Sequence, residues 1–208
     1  MKFYVIEGNI GAGKTSLVEI LSKKHNAKAV YEQFADNPFL PKFYANPEKY
    51  AFPLELSFLT ARYSQFKNDL NPDIFSPFII SDYYFPKSLI FARKTLADDE
   101  FALYKQIFDI IYLQLPRPTL YVYLHRPVDE LLENIKRRGR EFETYITAEY
   151  LSSIEESYSS YIHSQLPFPV LIINCGNKDF IADEKLLAEI ETQIIEKIFS
   201  KGIHYITI

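Results

Sequence analysis

Short apolar runs alternate with long stretches of helical periodicity along the whole chain. The apolar runs lie at residues 3–6, 29–31, 78–80, 120–124 and 170–173. The helical stretches lie at about 47–70, 98–115, 128–137, 147–165 and 182–200. Strands so far apart in sequence need crossover connections, which pair strands in parallel. The pattern therefore predicts an α/β fold with a five-stranded parallel sheet flanked by helices on both faces.

Residues 203–208 alternate apolar and polar side chains, as a half-buried strand does. They fit either a sixth strand at the sheet edge or a contact in a dimer, and the sequence leaves both readings open. No internal repeat and no linker divides the 208 residues. We therefore expect one domain over residues 1–208.

Composition and charge limit the classes of molecule that the protein is expected to bind. A net charge of −4 with a pI near 5.6 argues against a nucleic-acid polymer as a partner. No stretch approaches the roughly 18 apolar residues of a membrane span. The lone Cys175 cannot form an intramolecular disulfide, and no basic, apolar signal precedes the first strand. We expect a cytoplasmic protein with small-molecule substrates.

The first apolar run leads directly into a phosphate-binding loop (P-loop) and the start of a helix. The loop comprises Gly8, Asn9, Ile10, Gly11, Ala12, Gly13, Lys14, Thr15 and Ser16. Glycines let backbone N–H groups wrap around phosphate oxygens at a helix N-terminus. Lys14 can reach the β- and γ-phosphates of a nucleotide such as ATP, and the Thr15 hydroxyl is the expected Mg²⁺ ligand. The alternative is a turn that binds nothing, but the chain has only six glycines and places three here.

Three carboxylates follow apolar runs, where ligands bind in parallel sheets. They are Glu7, Glu32 and Asp82. Phosphoryl transfer needs a base for the acceptor hydroxyl and often a carboxylate near the metal, and Glu32 and Asp82 are placed for these tasks. Without the P-loop, helix caps or solvated loop acids would be the better interpretation.

A basic segment follows the helical run that ends near residue 137. It contains Arg137, Arg138 and Arg140 around Gly139. These cations could complement the helix dipole, but beside a P-loop they favour an arginine-rich lid over about residues 136–146 that closes on phosphates.

Together these motifs resemble the deoxynucleoside kinase family along almost the whole chain. The resemblance is carried by Glu32, the segment 43–55, Arg62, Asp82, Arg138-Gly139-Arg140 and Lys178-Asp179-Phe180. It implies the P-loop nucleoside and nucleotide kinase fold. It also implies a homodimer that transfers phosphate from ATP, with Mg²⁺, to the 5′-hydroxyl of a deoxynucleoside.

For the phosphate acceptor, the resemblance makes Glu32 the general base, with Asp82 as the alternative. Tyr44 and Glu143 correspond to the pair that grips the deoxyribose 3′-hydroxyl, and Phe91 to the aromatic that stacks on the base.

For the phosphate donor, the resemblance makes Arg138 and Arg140 lid arginines that contact the phosphates. Asp179 and Phe180 fall in the loop that surrounds the donor adenine.

Glu55 departs from the glutamine that many family members have in the nucleobase pocket. An amide suits adenine or cytosine, whereas a carboxylate only accepts hydrogen bonds and suits the N1–H and N2 amino donors of guanine. Arg62, further along the same helix, could pair with Glu55 or donate to guanine. Deoxyguanosine is therefore the expected substrate, with deoxyadenosine and deoxycytidine as alternatives.

At two further positions the chain lacks an arginine that is usual in the family. Tyr83 follows Asp82 where the family usually has arginine, and Lys87 could restore a cation there, a variant that resembles the bacterial deoxyguanosine kinases. Asn134 stands where another lid-helix arginine is common.

Three other functions would also use a P-loop. A nucleoside monophosphate kinase would need clustered arginines near residues 32–62, which this region lacks. A switch GTPase would need an Asp-x-x-Gly motif, which the chain does not contain. A P-loop module without catalysis is suggested only by Tyr83, and the other motif residues argue against it.

Overall fold

The structure is a computed structural model that describes residues 2–33, 37–71, 75–140 and 143–208. The side chain of Tyr44 also lies outside the described part, so its predicted contact with the deoxyribose stays a prediction. The same holds for positions 141 and 142 of the predicted lid.

A sheet of six strands forms the centre of the fold, in the order β2-β3-β1-β4-β5-β6. The strands are β1 (Lys2–Gly8), β2 (Lys28–Val30), β3 (Phe78–Ser81), β4 (Leu120–His125), β5 (Pro169–Asn174) and β6 (Gly202–Thr207). Every neighbouring pair is parallel, as predicted. The sheet has one strand more than the predicted five, because β6 pairs with β5, with Ile203 opposite Val170. The C-terminal segment is therefore an edge strand of the sheet.

Eight α-helices and one π-helical turn occur in the described ranges. They are α1 (Lys14–His25), α2 (Leu40–Ala45), α3 (Pro47–Asp69), α4 (Lys87–Thr95), α5 (Asp98–Tyr112), α6 (Val128–Arg138), α7 (Ala148–Ile162), α8 (Glu184–Glu191) and the turn Thr192–Glu196. The five predicted helices beyond α1 are present. Helices α2 and α4 were not predicted, because six and nine residues are too few to show a clear periodicity. Within the described residues, no helix has the length and apolar character needed to cross a membrane.

Both faces of the sheet are buried, which explains the unbroken apolar runs of its strands. Along β1, Phe3 and Val5 enter one core, against α3, α4, α5 and α7. Tyr4 and Ile6 enter the other, against α1, α6 and α8.

Tyr83 belongs to the first of these cores. Its ring is fully buried and packs edge-on against Phe66 at 4.9 Å, and its hydroxyl donates to Gln65 Oε1 at 2.7 Å. The structure thus gives Tyr83 a packing role between β3 and α3.

Helix α3 carries two of the predicted site residues. It begins after Asn46, whose side chain accepts a hydrogen bond from Lys49 N, with Pro47 at the first helical position. Glu55 and Arg62 are seven residues apart, which is about two turns, so they share one face. Both side chains are buried, and both have hydrogen-bond partners on α4.

Candidate active site

The carboxyl ends of three neighbouring strands bring the predicted catalytic groups together. In the order β2-β3-β1, β2 leads to Glu32, β3 leads to Asp82, and β1 leads to the P-loop. Residues that lie up to about 70 positions apart in sequence therefore meet at one edge of the sheet.

The P-loop backbone adopts the conformation that its glycines allow. Gly11 and Gly13 have φ of 85° and 93°. A Cβ at Gly11 would lie 2.7 Å from the Leu131 carbonyl oxygen, and one at Gly13 would lie 2.9 Å from the Phe180 ring. The loop is thus packed against α6 on one side and the segment after β5 on the other.

Lys14 is folded back onto this loop. Its Nζ donates to the carbonyl oxygens of Gly8 and Asn9, each at 2.8 Å. Burial, together with the nearby charge of Lys87, lowers the pKa of Lys14 to about 8 against the opposing effect of the surrounding carboxylates. The Asn9 side chain anchors the loop by donating to the Leu151 carbonyl oxygen at 2.8 Å.

Asp82 connects the P-loop to the end of β2. Its Oδ2 accepts from the Thr15 hydroxyl at 2.6 Å, and its Oδ1 accepts from the Glu32 backbone N–H at 2.8 Å. Both carboxylate oxygens are therefore aligned by residues of the predicted site.

The Glu32 side chain lies between two buried cations. Its Oε1 accepts from Arg62 Nε at 3.1 Å and Nη2 at 2.6 Å, and its Oε2 accepts from Lys87 Nζ. Burial favours the neutral acid, but the charges of Lys87 and Arg62 outweigh it and lower the pKa of Glu32 from 4.5 to about 2. Arg62 also donates to Ser88 Oγ at 2.8 Å. The structure thus pairs Arg62 with Glu32, whereas the sequence had suggested Glu55 or the base.

Glu7, the third predicted carboxylate, is held by two tyrosines. It accepts hydrogen bonds from the Tyr84 backbone N–H at 2.8 Å and from the Tyr158 hydroxyl at 2.9 Å. Burial raises its pKa. Glu7 therefore joins β1 to α7 beneath the site.

Glu55 lies deeper in the same region and is 3% exposed. Its Oε1 accepts from the Thr95 hydroxyl at 2.8 Å, while its Oε2 has no hydrogen-bond partner in the described part of the chain. Burial raises the pKa of Glu55 from 4.5 to about 7. Phe91, one turn before Thr95, lies under the Lys87 ammonium at 5.6 Å from the ring centre.

A cavity of about 580 Å³ opens on the other side of the P-loop. It is lined by loop and lid-helix residues and by the segment after β5, including Gly11, Gly13, Ser16, Asn134, Arg137, Arg138, Asn177 and Asp179. Several residues predicted to bind the phosphate donor are therefore brought together. Phe180 is fully buried behind Asp179 and supports Gly13.

The lid arginines converge on Glu143. Arg138 donates from Nε to Oε2 at 3.0 Å and from Nη2 to Oε1, and Arg140 Nη1 lies 3.4 Å from Oε1. Asn134 donates to the Gly11 carbonyl oxygen at 2.9 Å, so this departure from the family pattern fastens α6 to the P-loop.

Arg126 is a candidate site residue that was not predicted from the sequence. It follows β4, is 7% exposed and lines the 580 Å³ cavity. Its Nε and Nη1 lie 3.3 and 3.4 Å from the carbonyl oxygens of Ala12 and Gly176, and its guanidinium lies 5.1 Å from the Phe180 ring centre. No carboxylate pairs with it within the described ranges. The signal that could have found it is the one that found Glu32 and Asp82, a charged residue soon after a buried strand.

The strand order of the sheet, the P-loop and the arginines that line the cavity beside it define a P-loop kinase fold. The family model "Deoxynucleoside kinase" matches residues 4–200. The chain therefore belongs to the deoxynucleoside kinase family and is a phosphotransferase.

Individual relatives agree with this family. The chain is 35% identical over 204 residues to a deoxyguanosine kinase of Bacillus subtilis (strain 168), covering 94% of this chain and 97% of the relative. It is 30% identical over 212 residues to a deoxyadenosine kinase of Lactobacillus acidophilus, covering 95% and 97%. A solved deoxyadenosine kinase from M. mycoides with bound dATP superposes with a TM-score of 0.78 at 24% identity, covering 95% of this chain and all of that one. This last likeness supports the fold.

The ion cluster around Glu32 generates a stability prediction. Glu32→Gln leaves Arg62 and Lys87 buried without a counter-charge, so we expect a loss of about 3–5 kcal/mol in unfolding free energy at neutral pH. Because the Glu32 pKa is lower in the folded protein than in the unfolded chain, the contribution is present above about pH 4.5 and is lost as pH falls toward about 2. Urea unfolding at neutral and acidic pH should therefore show the two proteins converging in acid.

Glu19→Gln is the matched control, because Glu19 forms an exposed pair with Lys23. Its expected cost is below about 1 kcal/mol at either pH. Equal stability of wild type and Glu32→Gln at neutral pH would contradict the ionised cluster.

Proposed function

We propose that this kinase transfers the γ-phosphate of ATP to the 5′-hydroxyl of deoxyguanosine with the help of Mg²⁺. The observation that carries the choice of base is the buried Glu55 carboxyl, which has one oxygen without a partner in the described residues. Leaving such a group unpaired costs on the order of 1–3 kcal/mol. A ligand that donates a hydrogen bond to this oxygen is therefore favoured.

Guanine is the base that best complements an ionised Glu55. Its N1–H and N2 amino groups are adjacent donors, and a carboxylate offers only acceptors. One mismatched hydrogen bond corresponds to roughly 5- to 150-fold discrimination. The 35% identity to a relative named deoxyguanosine kinase supports the same choice.

Glu32 is the proposed acceptor of the 5′-hydroxyl proton. The low pKa of Glu32 keeps it ionised at neutral pH, and Arg62 and Lys87 fix its orientation. Such a weak base accepts the proton only late, when the bond to phosphorus has largely formed. Most of the rate acceleration then comes from positioning and charge stabilisation, as is usual in phosphoryl transfer.

Thr15 and Asp82 are the proposed protein ligands of Mg²⁺. The Thr15 hydroxyl and an Asp82 oxygen lie 2.6 Å apart beside the P-loop, and both are the hard oxygen donors that Mg²⁺ prefers. In the described part of the chain, no group of three acidic, histidine or cysteine side chains is arranged so that it could hold a metal ion. Such a group of protein ligands is not needed where phosphate oxygens and water complete the coordination of Mg²⁺. The ion that Thr15 and Asp82 would hold would supply positive charge to the phosphates.

Lys14, Arg126 and Arg138 are the proposed cations on the donor side. Lys14 donates hydrogen bonds to P-loop carbonyl oxygens and would exchange these acceptors for phosphate oxygens. Arg126 and Arg138 line the 580 Å³ cavity. Together they would stabilise charge on the transferred group.

Initial rates with ATP and Mg²⁺ test the proposal directly. The panel is deoxyguanosine, deoxyadenosine, deoxyinosine, deoxycytidine, thymidine and the matching monophosphates. We expect a clear preference for deoxyguanosine at mildly alkaline pH. Preference for another deoxynucleoside would discard the role given to Glu55, and turnover with monophosphates alone would replace the proposal with a monophosphate kinase.

The role of Glu32 is tested with Glu32→Gln under conditions where that variant is folded. We expect ATP binding to persist and turnover to fall by on the order of 10²–10⁴, the usual contribution of a general base. Retained ATP binding, measured by calorimetry, is the control for folding. Substantial remaining turnover would move the base role to Asp82.

Arg126→Met separates binding from stability. Removing a buried charge that lacks an acidic partner should leave the unfolding free energy of the ligand-free protein unchanged or higher. ATP should nevertheless bind roughly 10- to 100-fold more weakly, because a charged hydrogen bond is lost. Arg93→Met is the control, since Arg93 pairs with Asp98 at the surface, and its ATP affinity should match the wild type. A destabilised Arg126→Met with normal ATP affinity would show that Arg126 is purely structural.

A further inference from the structure

The Thr95 hydroxyl and the Glu55 carboxyl group form a hydrogen-bonded pair that is compatible with more than one arrangement of protons. The Thr95 hydroxyl has two acceptors within reach, Glu55 Oε1 at 2.8 Å and the Phe91 carbonyl oxygen at 3.3 Å. A hydroxyl has one proton and can donate it to only one of them at a time. The pair can therefore rearrange without leaving Thr95 unsatisfied.

Two protonation states of Glu55 fit this geometry. When Glu55 is ionised, Thr95 donates to Oε1, and Oε2 is a free acceptor. When Glu55 is neutral with its proton on Oε2, the Thr95 bond to Oε1 remains, and Oε2 becomes a donor. In the proposed nucleobase site, Oε2 would thus change from acceptor to donor, while the hydrogen bond between Thr95 and Oε1 is preserved.

The charges around Glu55 do not force either state. From its own helix, Arg62 favours ionisation, but its guanidinium is engaged by Glu32. From α5, the Tyr104 hydroxyl lies 3.5 Å from the Glu55 backbone carbonyl oxygen, and burial raises the Tyr104 pKa so that it stays neutral. Beyond Thr95, a cavity of about 490 Å³ is lined by the acids Glu48, Asp99 and Glu100.

Within the described residues, no ion pair involves Glu55. Burial therefore dominates and raises its pKa to about 7. Both protonation states are accessible near neutral pH.

The two states match different purines. Guanine presents adjacent donors at N1 and N2, which an ionised carboxylate accepts. Adenine presents an N1 acceptor beside the N6 amino donor, and these match a neutral carboxyl group that has one donor and one acceptor.

We propose that the protonation state of the Glu55–Thr95 pair selects the nucleobase, with the ionised pair favouring deoxyguanosine and the neutral pair favouring deoxyadenosine. Base preference should accordingly change with pH. Thr95 is then a specificity-determining residue that acts through Glu55. This inference rests on the proposed function and deepens it.

The test is the ratio of kcat/KM for deoxyguanosine to kcat/KM for deoxyadenosine, measured between about pH 5.5 and 8.5 at saturating ATP. Titrations shared by both reactions, such as that of Lys14, cancel in this ratio. In the wild type we expect the ratio to rise with pH by on the order of tenfold, with a midpoint near neutrality. In Glu55→Gln the ratio should be lower and independent of pH, because an amide has one fixed donor and one fixed acceptor.

Thr95→Val and Thr95→Ser test the second member of the pair. The Thr95 hydroxyl favours ionised Glu55, so its loss in Thr95→Val should raise the Glu55 pKa and move the midpoint to higher pH. Thr95→Ser keeps the hydroxyl and should keep the wild-type midpoint.

A wild-type ratio that is constant with pH, or a pH dependence that persists in Glu55→Gln, would overturn this inference while leaving deoxynucleoside phosphorylation intact. Absence of deoxynucleoside phosphorylation at every pH would overturn the proposed function itself, and the inference with it.

Discussion

The ion pairs of Glu32 are the interaction on which the rest of the site depends. Arg62 on α3 and Lys87 on α4 are buried cations that would repel each other without the carboxylate between them. One negative charge therefore fixes two helices against the end of β2. Because removing one member of such a cluster leaves uncompensated buried charge, the three residues act as a unit.

This cluster is one end of a continuous hydrogen-bonded path across the site. The path runs from Thr15 in the P-loop through Asp82 to the backbone and side chain of Glu32, and on through Arg62 to Ser88. The proposed donor side and the proposed acceptor side are thus connected by side chains that follow the β-strands and by Arg62 of α3. Such preorganisation is what an in-line transfer between two substrates requires.

Much of the fold follows from local patterns in the sequence, whereas the contacts inside the site do not. Continuous apolar runs predicted the parallel strands, and the P-loop motif predicted the turn between β1 and α1. The partner of Arg62 could not be predicted, because residues 32 and 62 meet only through the direction of α3. In the described residues, Glu55 Oε2 lacks a hydrogen-bond partner, and Arg126 lines the cavity. Both features also depend on packing between elements that are distant in sequence. The homodimer and the cytoplasmic location stay predictions.

The position of Lys14 affects the thermodynamics of nucleotide binding. A lysine side chain loses up to about 2 kcal/mol of rotamer freedom when it is fixed. Here the Gly8 and Asn9 carbonyl oxygens already fix the ammonium group in the folded protein. At the proposed donor site, an arriving phosphate would therefore meet a cation whose side-chain entropy was lost during folding. The binding step would exchange hydrogen bonds with little further ordering of this side chain.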